Sequence, residues 1–390
     1  MPSQKYDFDT VINCRNTASV KHDMMYRIFG RNDLLPMWVA EMDFATPDFI
    51  LNAIRLRLQH PMIGYTFGDA GYFSAVIAWL KKRYHINAQA KELHYIPGIV
   101  AGISFFVQAF TDTGDAIVIC PPVYPPFIQV PLQGKRELRC SHLQETDGKF
   151  YINWEDFEQK LQGAKLFILS NPHNPGGRVW TREELQRIAA LCHKHHVTVI
   201  SDEIHADLVF NEKEQISFST VSPEARKISA TFIAPSKTFN VAGMASSIVY
   251  IPDNTVREQY WQYLDGYEVA NGHTLAYTTA IAAFTYGEEW LHQVKTYIQS
   301  NIDFTIQYMQ KHLPLLKVMR PQASYLMWLD FSAMQLSHQE LKNRLINRAL
   351  IALNDGTEFG GDLYQNCFRI NVACPRTTLI DALERICSIF

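Results

Sequence analysis

Five polar side chains stand at the ends of apolar runs: Tyr124, Asn174, Asp202, His205 and Lys237. Lys237 follows Ala230-Thr231-Phe232-Ile233-Ala234, which reads as a buried strand, and Pro235 then turns the chain because proline cannot continue a ladder. A second apolar run, Ser247-Ile248-Val249-Tyr250-Ile251, follows closely, so the lysine has only the rim of a sheet to occupy. There it either reaches water or projects into a cleft. An ordinary lysine is a solvated charge. A buried one loses proton affinity, because desolvation disfavours the ammonium, and its free amine can attack a carbonyl to form an imine.

The neighbours decide between these readings. Asp202 closes the apolar strand around Thr198-Val199-Ile200, where a carboxylate needs a cation or several donors. It either caps a turn or pairs with a protonated ring nitrogen, as in electron-sink cofactor chemistry. Asn174, within Asn171-Pro172-His173-Asn174-Pro175-Gly176-Gly177, is a turn residue or an amide aimed by a rigid loop. Tyr124, within Pro121-Pro122-Val123-Tyr124-Pro125-Pro126, either packs or stacks on a flat ring. Ile99 and Val100 open a helix after Pro97-Gly98, and free N–H groups at a helix start favour a phosphate. Arg369 is a charge inside the apolar strand Cys367-Phe368-Arg369-Ile370-Asn371. It forms an internal ion pair or grips a substrate carboxylate with both arms of its guanidinium. His193, His195 and His196 end an amphipathic helix, where positive charge suits the dipole, and no metal site is expected.

These residues need elements to position them. Helices are expected after Thr46 as N-cap, over Tyr72 to Tyr84, over 99–110, near 154–162 after Asn153, and from the Thr181/Glu184 capping box to about Lys194. Leu93 to Thr111 reads as a buried helix entered through a loop. Strands are expected at Ala116 to Cys120, Glu137 to Cys140, Leu166 to Leu169 and Val197 to Ile200. This alternation predicts an α/β fold with a mostly parallel central sheet and helices on both faces. Ligands then bind beyond the carboxyl ends of the strands, where the five polar residues fall. A mostly helical stretch to about Leu313 includes a long helix from Glu288. The tail adds strands at Tyr325 to Leu329 and Cys367 to Val372, and a helix from a Ser337/Glu340 capping box to Ala349. The expected organisation is an N-terminal arm over 1–46 that contributes to a small domain, a large domain over 47–287, and a small α+β domain over 288–390.

Composition narrows the function. The 390 residues are 47% apolar and 19% charged with a net charge of −3, which fits a globular protein and gives no basic footprint for nucleic acid. The stretch Leu93 to Thr111 is too broken by Pro97, Gly98 and Gly102 to span a membrane, and the polar start Met1 to Asp7 predicts no secretory signal. Seven cysteines without a C-x-x-C pair point to reduced thiols and a cytoplasmic location.

At these residues the chain resembles fold-type I pyridoxal-phosphate enzymes of the class I/II aminotransferase superfamily, over essentially its whole length. By that resemblance Tyr124 matches the ring-stacking aromatic, Asn174 the donor to the ring hydroxyl oxygen, Asp202 the acid on the pyridine nitrogen, and Lys237 the lysine that holds pyridoxal 5′-phosphate as an imine. Three segments are similar to the MalY/PatB-type cystathionine β-lyase branch: Met37-Trp38-Val39-Ala40-Glu41-Met42-Asp43-Phe44, Asp202-Glu203-Ile204-His205 and Ser236-Lys237-Thr238-Phe239-Asn240. The resemblance further implies that His205 lies near the ring oxygen and that Arg369 clamps the substrate carboxylate. It also implies a homodimer in which Tyr65 reaches across to the partner's phosphate. Ala245 stands where many aminotransferases carry a phosphate-binding arginine, Ala234 where a hydroxyl residue is frequent, and Glu41 where the branch has aspartate. The phosphate then rests on Ile99 and Val100 N–H groups, Ser236 and Tyr65.

The expected reaction is β-elimination from L-cystathionine or another L-cysteine S-conjugate, giving a thiol, pyruvate and ammonia. An aminotransferase would use the same groups with a 2-oxo acid as acceptor. The alternative from another class is a binding or regulatory protein without turnover. A regulator of this kind is expected to carry an N-terminal DNA-binding domain, for which the chain before about residue 36 leaves no room.

Overall fold

Apolar runs punctuated by proline and glycine become a seven-stranded sheet in the computed structural model, which describes residues 5–210 and 213–390. Its strands are β1 (Leu93–Ile96), β2 (Ala116–Ile119), β3 (Glu137–Cys140), β4 (Leu166–Ser170), β5 (Thr198–Asp202), β6 (Ser229–Ile233) and β7 (Ser247–Tyr250). The spatial order is β1-β7-β6-β5-β4-β2-β3. β7 runs antiparallel to both neighbours and the other pairings are parallel. β4 and β6 are buried along their whole length, as strands covered on both faces must be. Register sets the functional edge: Ser170 lies opposite Asp202, and Asp202 opposite Phe232.

Several helices start where their caps dictate. Asp69 accepts from Tyr72 N and begins Ala70–Tyr84, two residues earlier than its apolar pattern suggests. Asn153 caps Trp154–Leu161, and Thr181 and Glu184 cap Arg182–Lys194 reciprocally. Helix Ile99–Phe110 has the predicted bounds. Other expectations change. Leu93–Ile96 is an edge strand, not an entry loop, because it pairs with β7. Thr46 does not cap the first long helix, Asp48–Leu58, whose N-cap position is Pro47; its hydroxyl donates to the Asn240 carbonyl at 3.2 Å. Ser337 accepts from Glu340 N, but the Glu340 carboxylate turns to Arg344 at 2.8 Å, so only half of that box forms. The helix His338–Asn343 then widens into a π turn, Arg344–Arg348. The N-terminal arm carries two short helices, Val20–Asp23 and Met25–Phe29. The polar start at Met1-Pro2-Ser3-Gln4 lies outside the described residues.

A second, antiparallel sheet joins Lys317–Met319, Leu326–Asp330, Cys367–Asn371 and Asn354–Asp355 in that spatial order. Leu35–Pro36 pairs in parallel with Ile351–Ala352, which ties the N-terminal arm to this part of the chain. The helix Glu288–His312 packs Val294, Ile298 and Ile302 into the core beside them. Among the described residues no helix is long and apolar enough to cross a membrane. All seven cysteines are free thiols.

Between the two sheets runs Trp38–Phe44, held by side chains from both. Asn240 Nδ2 donates to the carbonyls of Met42 and Phe44 at 2.9 and 2.8 Å, while its Oδ1 accepts from Met42 N at 3.0 Å. Asn371 Nδ2 donates to the carbonyls of Val39 and Glu41 at 2.7 and 2.6 Å. The buried Lys21 ammonium pairs with Asp43 at 2.7 Å.

Behind the functional edge, the buried Asp207 carboxylate accepts from Trp79 Nε1, Tyr84 Oη, Thr238 Oγ1 and Arg83 Nε. Asp207→Ala removes the acceptor of four donors, so chemical denaturation of the cofactor-free protein should show a loss of roughly 3–5 kcal/mol. Asp207→Asn, which keeps one acceptor oxygen, should lose less. A loss under about 1 kcal/mol for the alanine variant would contradict this account.

Candidate active site

The turn that carries Lys237 is the one-turn helix Pro235–Thr238, which follows β6 directly with Pro235 at its first position. This aims the side chain over the carboxyl ends of β4, β5 and β6, into a cavity of about 250 Å³. Lys237 Nζ donates to the Ala40 carbonyl at 2.5 Å, and Tyr325 Oη donates to the same oxygen at 3.0 Å. Burial, reinforced by the Arg369 charge, lowers the amine to a pKa of about 8.

Asp202 ends β5 and faces the same cavity. Burial raises its carboxyl to about 7; the Ile204 N–H at 3.1 Å and the Lys237 charge oppose that rise only in part. His205 is held near 3 by burial, then by the Lys237 and Arg369 charges, so its ring is neutral at physiological pH. The His205 ring meets Tyr325 edge-on at 6.2 Å, and its buried Nδ1 has no hydrogen-bond partner among the described residues.

Tyr124 and Asn174 also line the cavity. Asn174 is fixed through its backbone N–H to Ser170 Oγ at 3.1 Å, and its Oδ1 accepts from Arg369 Nη1 at 3.0 Å. Arg369 Nη2 donates to Asn354 Oδ1 at 2.6 Å and to the Trp38 carbonyl at 3.2 Å, and the guanidinium lies 4.9 Å from the Phe359 ring centroid. Among the described residues no carboxylate stands within ion-pair distance of it, so the internal ion pair is not formed. Burial instead lowers Arg369 to about 10. A buried guanidinium with only neutral partners is a place for an incoming anion.

Ile99 and Val100 line the cavity at the start of helix Ile99–Phe110, together with Ser236, Ala245, Ser246 and Ser247. Ser246 is buried, and its Oγ has no partner. Tyr65 is different: it is fully exposed and lies outside its own chain's cavity, beside the exposed Met62, Ile63 and Phe67. The sequence reading missed Ala40, Ser170, Ser246 and Tyr325. Ala40 lay within the flagged stretch Met37–Phe44, but nothing in it marked a backbone carbonyl as the partner of a lysine. Tyr325 looked like an ordinary strand residue, and its hydroxyl was the only signal. His195, from the histidine run, lies 3.4 Å from Glu158 on the surface.

A phosphorylated pyridine aldehyde fits this donor set. One wall is aromatic, a buried acid can meet a basic ring nitrogen, a half-buried amine can meet the aldehyde, and first-turn amides can meet a dianion. The unpartnered His205 Nδ1 and Ser246 Oγ are the polar atoms such a ligand would satisfy.

The chain is similar to known proteins along nearly its whole length. The chain is 40% identical to cystathionine β-lyase PatB of Bacillus subtilis (strain 168) over 382 residues, covering 97% of this chain and 98% of that one. The crystal structure of cystalysin from Treponema denticola, which contains a pyridoxal 5′-phosphate cofactor, superposes with a TM-score of 0.95 at 30% identity over 99% of both chains. The pyridoxal-phosphate-bound C–S lyase from Staphylococcus hominis superposes with a TM-score of 0.92 at 30% identity, covering 99% of this chain and 98% of that one. The profile of the aminotransferase class I and II family matches residues 39–386, and the chain belongs to that family.

Proposed function

We propose that this protein is a pyridoxal-phosphate-dependent carbon–sulfur β-lyase acting on L-cystathionine or a related L-cysteine S-conjugate. The observation that carries the reading is a desolvated, half-buried amine and a buried carboxyl, Lys237 and Asp202, sharing one cavity with proton affinities drawn toward each other. When bound, pyridoxal phosphate supplies an aldehyde for covalent attachment of an amine and an electron-withdrawing ring that acidifies the substrate Cα. Lys237 would hold the aldehyde carbon in the resting enzyme. Once free, Lys237 Nζ takes the Cα proton and delivers a proton to the departing sulfur. Asp202 would keep the ring nitrogen protonated. Asn174 and His205 would face the ring oxygen, and Tyr124 the ring face. Arg369 would hold the substrate carboxylate, which fits its lack of an anionic partner. The net reaction consumes one water and yields a thiol, pyruvate and ammonia.

Three coarser features support the rest of the reading. The arm's pairing of Leu35–Pro36 with Ile351–Ala352 supports grouping residues 1–46 with 288–390, apart from a large domain over 47–287. Seven free thiols suit a reducing cytoplasm. The exposed run Met62, Ile63, Tyr65 and Phe67 supports a homodimer in which Tyr65 serves the partner's phosphate.

Three measurements test this. Purified protein should release pyruvate and thiol in equal amounts from L-cystathionine without any 2-oxo acid, and Lys237→Ala should lower that rate at least about 10³-fold. Turnover that appears only after a 2-oxo acid is supplied would make it an aminotransferase. Tyr65→Ala should leave a dimer in sedimentation analysis but weaken cofactor retention about tenfold. A monomeric parent protein would remove the exchange.

The third concerns Asp202 and pH. Its folded-state pKa of about 7 lies above the ordinary carboxyl value, so the native state keeps this proton where the unfolded chain has released it. The penalty is therefore absent below about pH 4, grows as pH rises toward 7, and is complete above it. Cofactor-free Asp202→Asn should match the parent near pH 4 and exceed its stability by roughly 4 kcal/mol at pH 8, while losing turnover. Parallel stability curves across this range would contradict it.

A further inference from the structure

Among the described residues, the cavity that opens at helix Ile99–Phe110 is lined by no arginine and by no lysine other than Lys237. β7 pairs with β1 so that Ser247 lies opposite Ile96, and this places Ser246 across from the Pro97-Gly98 turn that opens the helix. Tyr95 Oη donates to the Ala245 carbonyl at 2.6 Å, and Ala245 adopts a left-handed backbone with φ 46°. This bond and this turn fix the backbone immediately before Ser246. Ser246 is 2% exposed and lines the cavity, and among the described residues its Oγ has no hydrogen-bond partner. A buried hydroxyl without a partner is destabilising, so a ligand that accepts from it gains affinity. The first-turn amides of Ile99 and Val100 are donors without intrahelical acceptors, at the positive end of a twelve-residue helix.

We propose that Ser246 Oγ is a phosphate-binding group of this protein, donating to the cofactor's phosphate together with the Ile99 and Val100 amides. The inference rests on the pyridoxal-phosphate reading above and names the side chain that works where Ala245 offers none. Ser236, beside Lys237, supplies a further hydroxyl to the lining. The site is thus neutral: it recognises a phosphate by oriented donors rather than by a guanidinium.

The test compares two ligands on cofactor-free protein, pyridoxal 5′-phosphate and pyridoxal, which differ only in the phosphate. Dissociation constants come from equilibrium dialysis, and the cofactor-free melting temperature checks the fold. Ser246→Ala should weaken pyridoxal phosphate binding about tenfold and leave pyridoxal binding unchanged. Ser246→Cys, which keeps the volume with a weak donor, should fall between parent and alanine variant and serves if the alanine variant does not fold. Unchanged pyridoxal phosphate affinity in both variants would overturn the inference, as would an equal loss for both ligands. If the parent binds neither ligand, the cofactor reading itself falls and takes this inference with it.

Discussion

Among the described residues Lys237 Nζ has one hydrogen-bond partner, the carbonyl of Ala40, and that bond joins the sheet's carboxyl edge to the segment lying over it. The segment Trp38–Phe44 has no regular structure of its own to satisfy its backbone. Asn240, Asn371, Arg369, Tyr325 and Lys237 supply the donors instead, from three separate stretches of the chain. Each such bond contributes about 1 kcal/mol, so no single one holds the segment, but together they fix it. Asn240 follows Lys237 by three residues and Asn371 follows Arg369 by two. The groups that clasp the segment are therefore carried on the same backbone stretches as the chemical groups.

Burial at this edge would be a fault in a protein selected only for stability. Asp202 and Arg369 are buried and Lys237 is half-buried, and among the described residues none has an ion-pair partner within bonding distance. Uncompensated buried ionisable groups cost several kcal/mol and survive where function needs them. Contrast Asp207, a few residues beyond Asp202, whose carboxylate collects four donors. Both acids are buried within one short stretch. One is fully satisfied and structural; the other is left with a single backbone donor and faces the cavity.

Much of this was legible in the sequence because the relevant signals are local. Proline after an apolar run marks a strand end, and helix caps mark helix starts, so the elements carrying Asn174, Asp202 and Lys237 could be placed from composition alone. Polar residues at those ends then had to share one edge. The illegible part is what depends on pairing between distant segments. That Leu93–Ile96 is an edge strand follows only from its partner β7, and that Thr46 gives up a cap follows only from Asn240, 194 positions away. Asp207 and Ser246 were invisible for the same reason. An aspartate four positions before Asn211 or a serine before an apolar run is common, and only tertiary neighbours distinguish a four-donor acceptor or an unpartnered hydroxyl.

The Ala40 carbonyl also answers a problem that the chemistry creates. If Lys237 turns from this oxygen toward a ligand carbon, it would leave a buried acceptor behind, at a cost of about 1–3 kcal/mol. Tyr325 Oη already donates to the same oxygen, and burial keeps that phenol far above its ordinary proton affinity, so it remains a donor throughout. The carbonyl therefore stays satisfied whether or not the lysine is present. The clasped segment need not move when the amine does, and the cost of freeing Lys237 falls to the loss of one of two donors. This leaves the amine mobile within a rigid wall, as a group that must bind, release and carry a proton requires.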